Sequence, residues 1–187
     1  MTEKKKILHS LLIFILTLSV IFFGTVSILK VLYPIDYNKF VEIYSKENNL
    51  SPSFVFAVIE CESGFDKNAE SSVGARGLMQ IMPETFFWLQ TKTGEKLSDD
   101  ALYDPETSIK YGCYFYGMLM QEFKNEEAAL AAYHAGMGNV RKWLQDERYS
   151  LDGETLYDIP FPSTKNYVHK VMKTKNIYDL LYYRKDA

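Results

Sequence analysis

A run of 19 residues without a charged side chain, LLIFILTLSVIFFGTVSIL at positions 11–29, is the strongest constraint on the fold of this chain. As an α-helix it would be roughly 28 Å long, close to the thickness of a bilayer's hydrocarbon core. Lys4, Lys5 and Lys6 precede the run, and such positive flanks stay in the cytoplasm. We therefore expect residues 1–33 to be a cytoplasmic Lys-rich tip with a transmembrane anchor. Residues 34–187 would then form an extracytoplasmic domain on a single-pass chain in the cell membrane.

A cleaved signal peptide is the alternative interpretation of this run. The run is longer than the apolar region of a usual signal peptide, and no Ala-x-Ala-like cleavage site follows it. Gly24-Thr25-Val26-Ser27 is only a poor substitute for such a site. An uncleaved anchor is favoured, and both interpretations place the rest of the chain outside the cytoplasm.

The charge distribution argues against nucleic acid as a partner. The whole chain has a formal net charge of −3. Residues 1–33 hold four lysines and one glutamate, which leaves 17 basic and 23 acidic side chains, a net of −6, in the remainder. Phosphate binding needs clustered Lys and Arg, and a mildly acidic domain without a basic stripe does not supply it.

Cysteine is sparse, since Cys61 and Cys113 are the two in the sequence. Two cysteines make no disulfide framework, and no Cys/His spacing typical of zinc sites is present. We expect two buried thiols, with one disulfide as the alternative outside the cytoplasm. No metal and no cofactor is expected.

The exported part shows helical rather than strand periodicity. Asp36 is a candidate helix cap, and Ser51 followed by Pro52 is a clear helix start. The final helix is expected from about Ser163 to Tyr182. No segment alternates with a two-residue period, so the sequence predicts an all-α domain. One long helix should bury the face formed by Ile109, Cys113, Tyr116, Met120 and Phe123.

A carboxylate lies at the end of an apolar helical face. Glu62 follows Val58 by four residues and Phe54 by eight, so the three share one face. Burial would raise the pKa of that carboxyl, as a general acid near neutral pH requires. Glu60 points roughly 160° away on the helix and is expected to be solvated. For Glu62 alone, a surface charge or helix cap is the simpler interpretation.

Two further clusters carry polar groups among small residues. GARGLMQIMP brings Gln80, a donor and acceptor, into an apolar stretch. AAYHAG offers Tyr133 and His134 as a sugar-stacking surface with polar tips. Taken singly, each cluster fits an ordinary core or turn as well as a binding site.

Four ordered blocks together resemble a known family. ECESGFDKNAESSVGARGLMQIMPET, LYDPETSIKYG, AAYHAGMGNVRKW and IPFPSTKNYVHKV are similar to the lytic transglycosylases of the soluble-lytic-transglycosylase type, glycoside hydrolase family 23. The similarity spans roughly residues 36–172. It implies a helical, lysozyme-like fold and peptidoglycan glycan strands as substrate. Glu62 would be the catalytic residue, and the substrate-binding residues would be Ser63, Met79, Gln80, Tyr133, His134 and Tyr167.

The resemblance also implies a mechanism with one carboxylate. Glu62 would protonate the oxygen of the β-1,4 bond between N-acetylmuramic acid and N-acetylglucosamine, then deprotonate the muramic 6-hydroxyl, which closes a 1,6-anhydro ring. A hydrolysing lysozyme on the same fold is an alternative. It would need a second carboxylate, for which Asp66, Glu70, Asp99 and Asp100 are candidates. A non-catalytic glycan-binding scaffold beside cell-wall or secretion machinery is a second alternative.

Two positions depart from the family pattern. The family usually has Asn where His134 stands, and Glu where Ser163 stands. A histidine can become charged near pH 6.5, so we expect activity to depend on pH more than is usual for the family. Tolerated drift at both positions is the simpler interpretation, because the blocks around Glu62 and Gln80 are intact.

Overall fold

The computed structural model describes residues 3–183, without the side chains of residues 3–5 and 8. The predicted basic tip therefore lies largely outside the described residues, which exclude the side chains of Lys4 and Lys5. The chain divides into two compact units, Met1–Pro34 and Ile35–Ala187.

The first unit contains one long helix, α1, which spans Glu3–Leu32. Its stretch His9–Leu32 is long and apolar enough to cross a membrane, and none of it is buried. A signal sequence near an N-terminus can also be long and apolar enough to meet this criterion. Four hydroxyl side chains of α1 form hydrogen bonds within the helix, which suits an apolar surrounding. The hydroxyls that donate to carbonyls three or four residues earlier belong to Thr17, Ser19, Thr25 and Ser27.

The second unit is built from short helices, and the described residues contain no strand. Two isolated bridges, Glu70 to Arg76 and Arg76 to Ile81, are the only sheet-like pairings among them. The predicted all-α class is therefore confirmed. The helices are α2 (Asn38–Glu47), α3 (Pro52–Glu62), α4 (Pro83–Thr93), α5 (Pro105–Phe123), α6 (Glu126–Ala135), α7 (Met137–Leu144) and α8 (Pro162–Tyr178).

The helix boundaries agree with the sequence signals in most places. The Ser51 hydroxyl accepts a hydrogen bond from the Phe54 amide at 3.2 Å, which confirms the predicted start of α3. Asp36 does not cap a helix, because α2 begins after Tyr37, whose backbone is left-handed at φ 59° and supplies no side-chain cap. The last helix ends at Tyr178, earlier than expected, and continues as a π-helical turn over Asp179–Tyr183.

Helix α3 forms the centre of the core. Its residues 53–59 are all buried, and it packs against α2 and α8. Helix α5 packs against α2 and α6 through the face predicted from its spacing, although Met120 is only half-buried. Both thiols are free, which confirms unpaired cysteines; Cys113 is buried as expected, but Cys61 is only half-buried, which corrects the expected burial there.

The turn that precedes α4, through Gly77 and Gln80, depends on Gly77. Its φ is +74°, a left-handed conformation, and a Cβ added there would overlap the carbonyl oxygen of Leu102. At Gly74 φ is +86°, but an added Cβ would meet nothing within 4 Å. A side chain at Gly77 would therefore meet both backbone strain and steric overlap, whereas a side chain at Gly74 would meet backbone strain alone.

We expect Gly77→Ala to lower the free energy of unfolding by about 3 kcal/mol or more, because overlap adds to strain. Gly74→Ala, the matched control, should cost about 1 kcal/mol from strain alone. Urea unfolding of both variants measures the difference. Equal losses would contradict a tight approach of the Gly77 turn to Leu102.

Candidate active site

Glu62 is the last residue of α3 and its carboxyl is largely buried. The Tyr167 hydroxyl on α8 donates a hydrogen bond to its Oε1 at 2.7 Å. Burial raises the pKa of Glu62 to about 7, against smaller lowering effects of the Tyr167 hydrogen bond and the charge of Lys170. Near neutral pH a large share of this carboxyl is therefore protonated and able to donate its proton.

Two further tyrosines, Tyr116 and Tyr133, extend the contacts of Glu62 and Tyr167 into the core. The Tyr116 and Tyr167 hydroxyls lie 2.9 Å apart, and since Tyr167 donates to Glu62, Tyr116 donates to Tyr167. The Tyr116 ring stacks on Tyr133 with 4.2 Å between centroids and 8° between planes. Desolvation raises the pKa values of all three phenols well above their ordinary range. They therefore remain neutral hydrogen-bond donors near neutral pH.

The turn through Gly77 and Gln80 is fastened to both sides of the site. The Ser63 hydroxyl donates to the Leu78 carbonyl at 2.9 Å, and the Tyr133 hydroxyl donates to the Met79 carbonyl at 2.6 Å. Together these bonds hold the turn against the end of α3 and against α6.

Gln80 occupies the left-handed region, with φ 47°. Its Nε2 donates to the carbonyls of Ala69 and Gly77, at 3.0 Å each. Both amide protons are thereby used, which leaves the side-chain oxygen as the group that can accept a bond from a ligand. The Gln80 side-chain oxygen is therefore held in a fixed position by the hydrogen bonds of its own amide group to the neighbouring backbone.

The placement of Met79 corrects one expectation. Its side chain is fully buried and packs so closely on Gly112 that a Cβ at Gly112 would overlap its Sδ. It therefore does not line a groove, and its carbonyl instead anchors Tyr133. Ser63 also acts within the protein, since its single hydroxyl proton points to the Leu78 carbonyl at 2.9 Å, with the Ile59 carbonyl at 3.2 Å as the alternative acceptor.

His134 lies beside the Glu62 network. Its Nδ1 is 3.0 Å from the Thr164 hydroxyl, and its ring lies 4.7 Å from the Tyr167 ring at 31°. Desolvation lowers its pKa below the ordinary value of 6.5, so the imidazole is mostly neutral near pH 7. Ser163 is exposed in the first turn of α8.

Two groups near Glu62 were not singled out as site residues from the sequence. Tyr116 was assigned to a buried face of α5 without a polar role. Lys170 lies three residues after Tyr167 on α8, and its Nζ donates to the Cys61 carbonyl at 3.3 Å. The three-residue spacing from Tyr167 on the same helix face could have identified Lys170.

Glu60 is half-buried, and desolvation raises its pKa, which corrects the expectation of a solvated side chain.

Three of the four candidate second carboxylates surround Arg76 instead. Asp99 and Asp100 lie 2.6 and 3.2 Å from its Nη1, and Glu70 lies 3.6 Å from its Nε. The fourth, Asp66, accepts a hydrogen bond from the Asn68 amide at 2.9 Å. Each of these carboxylates therefore has a structural partner, which Glu70, Asp99 and Asp100 share.

Two lytic murein transglycosylases are similar to this chain in sequence. The chain is 35% identical over 158 residues to the soluble lytic murein transglycosylase of Salmonella typhimurium, covering 80% of this chain and 23% of that protein. It is 27% identical over 165 residues to the membrane-bound lytic murein transglycosylase C of Glaesserella parasuis, covering 76% of this chain and 45% of that protein. The chain thus spans about a quarter to a half of the length of these relatives.

Solved structures agree with the sequence comparison. An inactive glutamate-to-glutamine mutant of the lytic transglycosylase Slt from Pseudomonas aeruginosa superposes with a TM-score of 0.74 at 32% identity, covering 84% of this chain and 26% of that one. The 70 kDa soluble lytic transglycosylase of Escherichia coli gives a TM-score of 0.73 at 30% identity, covering 81% and 25%. The fold is therefore the lysozyme-like one that the resemblance implied. Residues 39–155 match the family model described as "Transglycosylase SLT domain", and the chain belongs to that family.

Proposed function

We propose that this chain is a membrane-anchored lytic transglycosylase that cleaves the glycan strands of peptidoglycan, with Glu62 as its catalytic acid and base. The observation that carries the proposal is the buried Glu62 carboxyl, whose pKa is raised to about 7 and which Tyr167 orients at 2.7 Å. The names of the relatives support the substrate class. The inactive glutamate-to-glutamine neighbour supports a glutamate as the catalytic group.

In the first step, Glu62 donates its proton to the oxygen of the β-1,4 bond between N-acetylmuramic acid and N-acetylglucosamine. The C1–O bond breaks, the N-acetylglucosamine part leaves with that proton, and positive charge develops at C1 of the muramic unit. The substrate's own N-acetyl oxygen can share this charge. A carboxyl that is half protonated near pH 7 is well matched to such a donor.

In the second step, the Glu62 carboxylate takes the proton from the muramic 6-hydroxyl. The freed oxygen bonds to C1 and closes a 1,6-anhydro ring, so no water is consumed and Glu62 regains its proton. One carboxyl serves both steps. The pairing of Glu70, Asp99 and Asp100 with Arg76 favours this course over hydrolysis, which needs a second carboxylate to activate water.

The residues around Glu62 take separate parts in the proposal. Gln80 offers its side-chain oxygen, and Tyr133 and His134 offer ring surface to the glycan. Tyr167 orients the carboxyl. Ser63 and Met79 act indirectly by fixing the turn that carries Gln80.

The proposed location is the extracytoplasmic side of the cell membrane, with α1 as a single-pass anchor. The length and composition of His9–Leu32 support this location, as does the similarity to a membrane-bound transglycosylase. Lys4, Lys5 and Lys6 would keep the N-terminus in the cytoplasm. The catalytic unit would then act on glycan that lies outside the membrane.

Replacing Glu62 by Gln keeps the shape and the acceptor oxygen but removes the proton donor. We expect glycan cleavage by Glu62→Gln to fall by about a thousandfold, while Glu60→Gln, the control two residues earlier, stays within about threefold of wild type. Release of soluble muropeptides from purified peptidoglycan measures the rates, and circular dichroism checks the fold.

Mass spectrometry of the wild-type products tests the reaction type in the same experiment. We expect 1,6-anhydro-muropeptides, one water lighter than hydrolysis products. Reducing-end muramic acid alone would establish a hydrolase instead. Unchanged cleavage by Glu62→Gln would exclude Glu62 as the catalytic group.

The pKa of Glu62 predicts how activity depends on pH. The first step needs the protonated carboxyl, so kcat/KM should fall as pH rises through about 7. The Tyr167 hydrogen bond lowers this pKa, so Tyr167→Phe should move the fall to higher pH. Tyr114→Phe, a control on α5, should leave it in place. A shift of the fall to lower pH in Tyr167→Phe would contradict the proposed role of the hydrogen bond.

The anchor is tested by extraction. We expect the full chain to stay with membranes after alkaline carbonate treatment. Replacing both Leu18 and Ile21 by Asp, near the middle of α1, should release it, because each buried Asp costs about 3 kcal/mol. Ile7→Asp, near the helix end, should not. Release of the wild-type chain by carbonate would rule out a transmembrane anchor.

A further inference from the structure

One side of helix α2 is exposed and combines an apolar side chain with two basic ones. Lys39, Ile43 and Lys46 are spaced by four and three residues, so they lie on one face of the helix. Ile43 is 40% exposed, and both lysines are exposed. We propose that this α2 outer face docks on anionic phospholipid headgroups of the membrane that α1 spans. The inference rests on the proposed function, because it requires the anchor.

The opposite side of α2 fixes the direction of the outer face. Val41 and Ser45 are buried, and the helix packs against α3 and α5. The Tyr44 hydroxyl donates to Glu106 Oε1 on α5 at 2.9 Å. Helix α2 therefore cannot turn about its axis without losing these contacts, and its outer face points away from the core of the second unit.

The chain between the anchor and α2 is short. The apolar stretch of α1 ends at Leu32, and α2 begins at Asn38. The Tyr33 amide still donates to the Leu29 carbonyl at 2.8 Å, so five residue steps separate this helical bonding from α2. Five extended steps reach about 18 Å at most, and the headgroup layer on one side of a bilayer takes up roughly 6 Å of it. The start of α2 is therefore confined to the vicinity of the headgroups.

The charges of the outer face complement anionic lipid. The lysines that form ion pairs among the described residues lie elsewhere, on α5 and α8, so Lys39 and Lys46 can meet phosphate groups. Each lysine near an anionic membrane surface raises the equilibrium constant for docking about fivefold. Ile43, between them, adds apolar contact at the boundary with the acyl chains, as in helices that lie on membranes.

Three carboxylates near this face offset part of the attraction. Asp36 precedes the helix, and Glu42 and Glu47 lie at the edges of the face, roughly 60° to 80° around the helix from its centre. Glu42 Oε1 accepts a hydrogen bond from the Tyr183 hydroxyl at 3.1 Å, which holds it beside the C-terminal turn. The lysines at the centre are therefore the charges nearest to a flat surface.

The full chain in lipid nanodiscs tests this docking. The discs contain equal parts of phosphatidylcholine and phosphatidylglycerol, with a small share of lipid that carries nickel on its headgroup. A nitroxide spin label is attached at Ile43→Cys, in a chain with Cys61→Ser, whereas the buried Cys113 stays. We expect the headgroup nickel to speed relaxation of this label about threefold or more over that of a control label.

Leu151→Cys supplies the matched control position. Leu151 is apolar like Ile43 and is 84% exposed. It lies in the loop after α7, whose main neighbour is α6. A label there should respond weakly to the headgroup nickel, although it is the more accessible of the two positions.

A charge exchange tests which groups hold the face down. Replacing both lysines by glutamine, Lys39→Gln with Lys46→Gln, should lower the equilibrium constant for docking about tenfold, since the flanking carboxylates offset part of the lysine effect. The label at Ile43→Cys then loses most of its response. Lys124→Gln with Lys142→Gln, two exposed lysines outside this face, should leave the response unchanged, as circular dichroism confirms the fold of each variant.

Three results would overturn the inference. One is equal nickel relaxation at Ile43→Cys and Leu151→Cys. Another is an unchanged response after the exchange of both lysines. The third is spin–spin broadening of the Ile43→Cys label in discs that hold two copies, without nickel relaxation, which would assign the face to a second copy. Failure of the proposed function is distinguishable: without the anchor the chain would not enter the discs, and without catalysis by Glu62 the Glu62→Gln variant would cleave glycan fully.

Discussion

The burial of one carboxyl group, that of Glu62 at the end of α3, is the constraint on which the site depends. Raising its pKa from 4.5 to about 7 means that the folded protein disfavours the ionised form by about 3 kcal/mol. Because the folded pKa is raised, this carboxyl costs no stability below pH 4.5, and the cost grows until pH exceeds about 7. The fold tolerates the cost because residues 53–59 of α3 are all buried and the helix packs against α8.

Tyrosine hydroxyls offset part of that cost without adding a charge. Tyr167 satisfies one carboxylate oxygen, Tyr116 satisfies Tyr167, and the phenols stay neutral because desolvation raises their pKa values. Neutral donors orient the carboxyl while leaving its pKa near 7. A lysine or arginine at the same distance would lower the pKa much further and remove the acid. Lys170 acts more weakly, from the edge of α8, where it is exposed.

Sequence reasoning predicted the helical class and the start of α3, because Ser51 and Pro52 act through local backbone chemistry. The spacing of one helix also placed the Glu62 carboxylate on an apolar face, where the structure buries it; its catalytic role was implied by the family resemblance and stays a proposal. It could not place Met79 correctly, because the burial of that side chain depends on Gly112, on another helix. The role of Tyr116 was missed for the same reason, since its partner Tyr167 lies 51 residues away.

The central claim is that burial keeps the Glu62 carboxyl protonated near neutral pH, and its direct test is a titration of that group. Carbon-13 NMR of the full chain with labelled glutamate side chains follows each carboxyl carbon across pH, and loss of one resonance in Glu62→Gln assigns it. The account predicts a midpoint near pH 7 for this resonance. A midpoint near 4.5, the ordinary value for glutamate, would contradict it.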